Sequence, residues 1–240
     1  KKIYIHLQRL FINKYIKIMN NATFFFNQPK NEPVLSYAKG SKERELLSKE
    51  LEKQYNQCIE IPIIINGKEI KTGNVSEVVM PTEHSHVLAK FHKADKETVQ
   101  KAIESALEAR KKWENVHWID RCSIMLRAAE LLAGKYRYVI NAATMLGQGK
   151  NPFQAEIDSA CETIDFLRFN VHYASKIYAQ QPLSDNSAIN RLEYRGLEGF
   201  VYAISPFNFT SIACNLNISP VLMGNVTVWK PATTAVLSNY

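Results

Sequence analysis

The stretch Gly199-Phe-Val-Tyr-Ala-Ile-Ser-Pro-Phe-Asn-Phe-Thr210, together with Gly224-Asn-Val-Thr-Val-Trp-Lys-Pro-Ala232, decides the fold of this chain. It contains an uncharged run, residues 200–204, which predicts a strand buried on both faces. Residues 211–223 predict a helix, and residues 226–229 predict a second short strand. A strand, a helix and a strand in this order indicate an α/β fold with a parallel sheet.

The polar residues of this unit lie at the ends of its elements. Asn208 and Thr210 offer side-chain caps for the start of the helix, and Gly224-Asn225 closes it with residues that accept a positive φ. A β-α-β unit binds its ligand at the carboxyl ends of the strands. Those ends carry Ser205, Asn208 and Lys230, so the sequence predicts a ligand site there.

Two short motifs resemble the aldehyde dehydrogenase superfamily. Pro206-Phe-Asn-Phe209 is similar to the family motif that supplies the oxyanion-hole asparagine, and Trp229-Lys-Pro231 to the motif whose lysine binds the cofactor ribose. Within the superfamily, the chain resembles the enzymes that oxidise glutamate γ-semialdehyde, from about Asn31 to Tyr240. The combination that carries this likeness is Asn31-Glu-Pro-Val34, Gly149, Gln154-Ala-Glu-Ile-Asp158, Ile164-Asp-Phe-Leu-Arg-Phe-Asn170, Gln180-Gln-Pro182 and Tyr194-Arg-Gly-Leu-Glu-Gly-Phe200.

Asn208 is the first candidate for a catalytic role. Its position alone leaves two alternatives, a helix N-cap or a hydrogen-bond donor to a ligand. The resemblance implies the second, because the tetrahedral intermediate of aldehyde oxidation carries a negative oxygen. Losing one donor to such an oxygen costs about 3 kcal/mol.

The resemblance implies NAD as the cofactor, bound by Ser205, Pro206, Phe207 and Lys230. A lone lysine at a strand end is usually a solvated charge, but the Trp-Lys-Pro context favours a cofactor role, in which the ammonium of Lys230 donates to ribose hydroxyls. The Gly-x-Gly-x-x-Gly fingerprint is absent, and Gly147-Gln-Gly149-Lys150 is only half a phosphate loop. We therefore interpret that segment as a helix terminus.

Two further residues are assigned to the aldehyde by the resemblance. Phe209 would pack on the methylene chain of the substrate, and otherwise it would be a core residue. Glu162 matches a glutamate near the family's aldehyde tunnel, and otherwise it would be a surface carboxylate.

Cysteine and histidine do not indicate another site. Cys214 follows the asparagine motif but lies inside the predicted helix among apolar residues, which predicts a buried structural thiol. His84 and His86 have no third ligand at useful spacing, so we expect no metal site.

The resemblance also implies an incomplete enzyme. The family's nucleophilic cysteine and its base glutamate lie in segments beyond Tyr240, so we expect an N-terminal part, truncated before the catalytic domain and inactive alone. One alternative is a truncated, non-catalytic paralogue that binds nucleotide or pairs with a full-length subunit. Another is an aldehyde dehydrogenase with a different aldehyde.

The positive charge is concentrated at the start of the chain. The net charge is +7, yet six of the 30 basic residues and none of the 23 acidic residues lie in the first 31 positions. The remainder is nearly neutral, so nucleic acid is not an expected partner. No run approaches 18 apolar residues, so no membrane span is expected. Residues 1–30 predict a presequence for the mitochondrial matrix or a non-native extension, and residues 31–240 the N-terminal part of an NAD-binding domain.

The remaining patterns predict an N-terminal arm, a β-hairpin and a helical layer before the first strands of a Rossmann-like parallel sheet. The polar segment 182–196 predicts a hairpin, which the resemblance implies reaches a partner subunit, so we expect a homodimer or a higher homo-oligomer. The predicted helices are 41–57, 95–113, 118–132, 136–146 and 151–178, and the predicted strands are 61–65, 69–71 and 87–92.

Overall fold

The structure is a computed structural model that describes residues 25–240. The predicted presequence, residues 1–30, lies almost wholly outside the described residues. The described chain is mixed α/β: an arm, two small sheets, a helical layer and a pair of parallel strands. This order confirms the mixed α/β class expected from the sequence.

An extended arm, residues 25–41, lies across the helical layer. Near its start, Phe26 packs edge-on against Trp118, with ring centroids 6.0 Å apart. Near its end, the buried Tyr37 donates its hydroxyl proton to Glu156 at 2.6 Å. The arm is therefore attached at both ends by side chains that come from distant helices.

Helix α1 (Lys42–Tyr55) follows the arm. The side chain of Ser41 accepts a hydrogen bond from the N–H of Arg44, which confirms the predicted N-cap. The helix buries Leu47 against Ala142 in a small apolar cluster.

Five short strands then form two sheets. The hairpin predicted around Asn66-Gly67 is confirmed, with positive φ at both residues. In the other sheet the longest strand is central, parallel to one neighbour and antiparallel to the other, in the order β1-β5-β4. The strands are β1 (Ile59–Ile61), β2 (Ile63–Ile65), β3 (Lys68–Ile70), β4 (Val75–Met80) and β5 (Glu83–His92).

The single strand predicted over 61–65 is wrong. Pro62 divides it, so β1 and β2 belong to different sheets; a proline has no N–H to donate to a ladder. The sequence patterns also missed β4, in which only Val78 is fully buried. With one buried position, the strand has no clear hydrophobic alternation.

The helical layer continues with three helices. The cap predicted at Asp95 is confirmed, because its carboxylate accepts from the N–H of Thr98 at 2.8 Å. The end predicted at Gly147 is wrong: the helix continues and ends at Gly149, which has a φ of +64°. The helices are α2 (Lys96–Trp113), α3 (Trp118–Ala133) and α4 (Arg137–Gln148).

The long helix predicted over 151–178 forms in three parts. Its start is a capping box of Asn151 and Gln154, as the sequence indicates. The π-helical part was not predicted, and it carries the buried carboxylates of Glu156 and Asp158. The parts are α5 (Pro152–Ala155), the π-helical segment (Glu156–Glu162) and α6 (Thr163–Ala179).

The β-α-β unit that decides the fold is confirmed as β6 (Val201–Ile204), α7 (Thr210–Leu222) and β7 (Thr227–Lys230). The two strands are parallel and in register from one end to the other. The burial predicted on both faces of β6 is wrong: Ala203 is buried, but Tyr202 and Ile204 are exposed, because no element within residues 25–240 covers their face. Gly224, with a φ of +91°, ends the helix as predicted. A 3-10 turn (Thr233–Ala235) and helix α8 (Val236–Asn239) follow.

The main hydrophobic core lies between α3, α6 and α7, beside the π-helical segment. No helix within residues 25–240 has the length and apolar composition needed to cross a membrane. The buried core residues are Cys122, Met125, Ala129, Ala160, Ile164, Leu167, Val171, Ala174 and Leu222.

The segment 182–196 is an exposed loop whose two halves run alongside each other. No β-strand is assigned in it, although a hairpin was predicted. Its two legs are joined mainly through side chains: the amide of Gln181 exchanges two hydrogen bonds with the backbone of Leu192. Its contact with a partner subunit stays a prediction.

Candidate functional site

Strands β6 and β7 end side by side, and their ends carry the predicted ligand residues. Ile204 is paired with Lys230 in the register, and the N–H of Ser205 donates to the carbonyl of Lys230 at 3.4 Å. We call residues 205–209 together with Lys230 the carboxyl edge. Ligands of parallel sheets bind at such an edge.

Lys230 and Ser205 are two of the donors at the carboxyl edge that are available to a ligand. Lys230 is exposed, and its ammonium forms no ion pair with any residue in the range 25–240. Ser205 is buried, and its oxygen accepts from the indole N–H of Trp229 at 3.1 Å. Because the indole uses an acceptor position, the hydroxyl of Ser205 keeps its own proton to donate.

Pro206 and Phe207 complete the turn after β6. Pro206 is partly buried, whereas the side chain of Phe207 is 68% exposed. An aromatic ring so far exposed at a strand end is a surface on which a planar ligand can pack.

Asn208 is exposed to solvent, and its backbone carbonyl forms a hydrogen bond with a lysine. Its carbonyl accepts a hydrogen bond from Nζ of Lys150 at 2.6 Å. Helix α7 begins after Phe209 without any local side-chain cap, so the prediction that Asn208 or Thr210 caps it is wrong. The amide of Asn208 is therefore free to donate to a ligand.

Asp158 of the π-helical segment caps α7 instead. Its Oδ2 accepts from the N–H of Thr210 at 3.1 Å, and its Oδ1 from the N–H of Ser211 at 3.2 Å. The carboxylate is buried and also pairs with Nζ of Lys150 at 2.5 Å. A negative charge at a helix N-terminus is stabilised by the free N–H groups and by the helix dipole.

This cap limits where a dinucleotide can place its phosphates. In folds that have the glycine fingerprint, the pyrophosphate binds at the N-terminus of the helix after the first strand. Here Asp158 already takes the N–H groups of Thr210 and Ser211, so these donors are not free for a phosphate. The donors that remain, on Ser205 and Lys230, suit sugar hydroxyls. The residues present therefore fit an NAD molecule held through its ribose.

The two residues assigned to the aldehyde lie on either side of the start of α7. Glu162 is partly buried, and its Oε2 accepts from the hydroxyl of Ser211 at 2.7 Å. Phe209 is partly buried under Nζ of Lys150, which lies 4.6 Å from the ring centroid. Glu162 is thus no ordinary surface carboxylate, and the substrate role of both residues stays a prediction.

Cys214 lies on helix α7, near the carboxyl edge, and its surroundings do not activate its thiol. The side chain of Cys214 is partly rather than fully buried, a small difference from the prediction. Burial raises the pKa of its thiol to about 11, so the thiol is protonated at neutral pH.

The two histidines of the sequence pattern, His84 and His86, belong to a strand and not to a metal site among the described residues. His84 and His86 lie on β5, and the ring of His86 stacks on Tyr55 with centroids 4.0 Å apart. Within the part of the chain that the structure describes, no three His, Cys, Asp or Glu side chains group as a metal site requires.

A buried polar cluster, which we call the arm cluster, was missed by the sequence patterns. Arg137 forms ion pairs with both Glu156 and Glu32, so it connects the π-helical segment to the arm. Nothing in the local sequence separates Glu156 from an exposed helical glutamate. The arm cluster consists of Glu32, Tyr37, Arg137, Asn141 and Glu156.

The chain is similar in sequence and in fold to known proteins. Residues 69–240 match the model of the aldehyde dehydrogenase family. The chain is similar to the delta-1-pyrroline-5-carboxylate dehydrogenase of Agaricus bisporus, with 53% identity over 221 residues, or 91% of this chain and 40% of that protein. It is similar to the mitochondrial enzyme of the same name from Homo sapiens, with 50% identity over 210 residues, or 88% of this chain and 37% of that protein.

A solved structure is similar over nearly the whole described chain. It is the crystal structure of the Delta-pyrroline-5-carboxylate dehydrogenase from Mycobacterium tuberculosis bound with NAD, with a TM-score of 0.89 and 45% identity. The match covers 91% of this chain and 41% of that chain. The chain therefore spans about two-fifths of the length of the relatives that it matches.

Proposed function

Since this chain belongs to the aldehyde dehydrogenase family, we propose that it forms the amino-terminal part of an NAD-dependent dehydrogenase of proline catabolism. The complete enzyme oxidises L-glutamate γ-semialdehyde, which is in equilibrium with 1-pyrroline-5-carboxylate, to L-glutamate. The observation that supports this best is the exposed side chain of Asn208, which forms no hydrogen bond within residues 25–240, together with the exposed Lys230 at the end of the neighbouring strand, in a chain about half identical to such enzymes.

In this proposal Asn208 stabilises the negative oxygen of the tetrahedral intermediate. Its backbone carbonyl is fixed by Lys150, and its side-chain amide is exposed and unused within residues 25–240. A donor that is already in place pays no reorganisation cost when the charge develops. Phe209 and Glu162 contact the aldehyde from either side of the start of α7.

The cofactor residues are Ser205, Pro206, Phe207 and Lys230. NAD, when bound, supplies the acceptor for the hydride that leaves the substrate. Lys230 and Ser205 donate to its ribose hydroxyls, because the N-terminus of α7 is closed to phosphate by Asp158. Phe207 offers its exposed ring to the nucleotide.

Covalent chemistry needs groups that the described residues do not provide. The thiols of Cys122, Cys161 and Cys214 have a pKa raised by burial, to about 11, 12 and 11. The fourth cysteine, Cys58, is exposed, but it lies directly before β1 and not in the carboxyl edge. We propose that the nucleophilic cysteine and the base glutamate belong to the remaining three-fifths of the enzyme's length, which relatives have beyond this part.

The proposal includes a homo-oligomer and a mitochondrial location. Segment 182–196 exposes apolar side chains, among them Leu183 at 93% and Ile189 at 79%, which a partner subunit would cover. Several relatives are named mitochondrial, and we propose the matrix for this enzyme.

The test uses the full-length enzyme that contains this chain and follows the absorbance of NADH. Glutamate γ-semialdehyde is compared with pentanal, which has the same number of carbons but lacks the amino and carboxylate groups. We expect kcat/KM to be at least about tenfold higher for the semialdehyde, because each charged hydrogen bond contributes about 1.5–3 kcal/mol. Equal values would indicate a different aldehyde as the substrate. Binding of NAD without any turnover would favour the non-catalytic paralogue.

A further inference from the structure

The ammonium of Lys150 contacts the turn that carries Asn208 (residues 205–209). Nζ donates to the carbonyl of Asn208 at 2.6 Å, pairs with Oδ2 of Asp158 at 2.5 Å and lies 4.6 Å from the ring centroid of Phe209. The Lys150 side chain is only 16% exposed. A largely buried lysine with this set of contacts is not a solvated surface charge.

Asp158, the ion-pair partner of Lys150, binds the backbone directly after the same turn. Asp158 accepts from the N–H groups of Thr210 and Ser211, and its Oδ1 also accepts from the hydroxyl of Ser211 at 3.0 Å. One ion pair thus binds the backbone at position 208 through the lysine and at positions 210 and 211 through the carboxylate. The side chain of Asn208 is left free between these anchors.

We propose that the Lys150–Asp158 pair positions Asn208 for catalysis, and that Lys150 acts as a positioning residue and contacts neither substrate nor cofactor. The inference rests on the proposed oxyanion role of Asn208. An oxyanion donor must lie about 2.7–3.1 Å from the developing charge, and a misplacement of about 1 Å can cost a factor of about a hundred. Anchoring the carbonyl of Asn208 restricts rotation of the backbone that aims its amide.

The test is a double-mutant cycle in the full-length enzyme. Lys150→Met keeps the length of the side chain and removes its charge and its donors. We expect it to lower kcat by about tenfold or more, with the KM for the aldehyde and the Kd of NAD changed less than about twofold. In the Asn208→Ala background, the same substitution should change kcat by less than about twofold, because the residue acts only through Asn208.

Three further variants separate positioning from general stability. Lys150→Arg keeps a donor to the carbonyl and to Asp158, so it should restore most of kcat. Asp158→Asn can still cap α7 but loses the ion pair, so it should lower kcat as Lys150→Met does. Lys176→Met is the matched control, because Lys176 also lies over an aromatic ring, that of Tyr173 at 5.7 Å, but is exposed and far from the turn.

Amide hydrogen exchange gives an independent readout. Loss of the pair should raise exchange at Thr210 and Ser211 in Lys150→Met, and leave it unchanged in Lys176→Met. If Lys150→Met does not fold, Asp158→Asn carries the same cycle with Asn208→Ala. Equal losses of kcat in both backgrounds, or an unchanged kcat in Lys150→Met or Asp158→Asn, would overturn the inference. Full kcat in Asn208→Ala alone would instead overturn the proposed oxyanion role.

Discussion

Replacing Glu156 by glutamine is expected to release the arm, residues 25–41, from the helices. The Glu156 side chain is fully buried and accepts from the hydroxyl of Tyr37 at 2.6 Å and from the amide of Asn141 at 2.7 Å. It also accepts from the N–H of Leu35 at 2.9 Å. Glutamine has the same shape but converts one acceptor into a donor, so at least one of these bonds is lost.

The larger effect comes from charge. In the variant, the buried guanidinium of Arg137 keeps Glu32 as its remaining carboxylate partner among the described residues. Removing one member of a buried ion pair costs about 3–5 kcal/mol. At about 1.4 kcal/mol per factor of ten, the arm should open at least about a hundred times more often.

The assay is native-state hydrogen exchange at the amide of Leu35, which bonds directly to Glu156. The matched control is Glu130→Gln, because Glu130 is 64% exposed and pairs with Arg168 at 2.9 Å. A surface pair of this kind contributes at most about 1 kcal/mol, so exchange at Leu35 should change less than about fivefold. Equal exchange rates in the two variants would refute the reasoning.

The same carboxylate makes attachment of the arm depend on pH. Burial alone would raise the pKa of Glu156, but hydrogen bonds from Arg137 and Tyr37 outweigh it and hold the pKa below the ordinary value of 4.5. A depressed pKa stabilises the folded state above the unfolded value, and this contribution is lost as the pH falls through the lowered pKa. The difference between wild type and Glu156→Gln should therefore shrink below about pH 4.5. A difference that grows in acid would contradict this.

Two predictions concern the 240-residue chain expressed alone. It should form no NADH with glutamate γ-semialdehyde, because an oxyanion donor without a nucleophile and a base does no covalent chemistry; turnover that Cys214→Ala abolishes would contradict this. It should also associate, because the parallel pair β6–β7 has open edges within the described residues and exposes Tyr202 and Ile204. Size-exclusion chromatography with light scattering checks this, and a monodisperse monomer with cooperative unfolding would refute it.

Most elements were predictable because the signals that start and end them act within a few residues. Ser41 and Asp95 cap their helices through N–H groups three residues ahead. Asn66-Gly67 closes a hairpin and Gly224 ends a helix through their own backbone angles. A sequence pattern contains all of this information.

Several errors arise where residues distant in sequence form hydrogen bonds or ion pairs with each other. The cap of α7 comes from Asp158, 52 residues before Thr210, so local reasoning assigned it to Asn208 or Thr210. Glu156 is buried only because Arg137 and the arm reach it. The π-helical segment that carries both acids follows from these partners, which a local helical pattern does not contain.

The candidate site was predictable in part. Spacing alone placed Ser205, Asn208 and Lys230 at one sheet edge. The register of β6 and β7 brings the backbones of Ser205 and Lys230 together there, and Asn208 lies in the turn that follows β6. Spacing left Asn208 as a helix cap or a ligand donor, and the structure removes the cap. The segment that ends in Lys150 was interpreted only as a helix terminus. Its contact with Asn208 was missed because Asn208 lies 58 residues further along the chain.

The most direct measurement titrates NAD and the aldehyde separately against two variants of the full-length enzyme. Asn208→Ala should lower kcat about a hundredfold with little change in NAD affinity, because its bond forms mainly to the developing oxyanion. Lys230→Ala should weaken NAD binding by about 1.5–3 kcal/mol and keep most of kcat at saturating NAD. If Asn208→Ala weakens NAD binding as much as Lys230→Ala does, the two residues do not serve different ligands and the proposed roles are wrong.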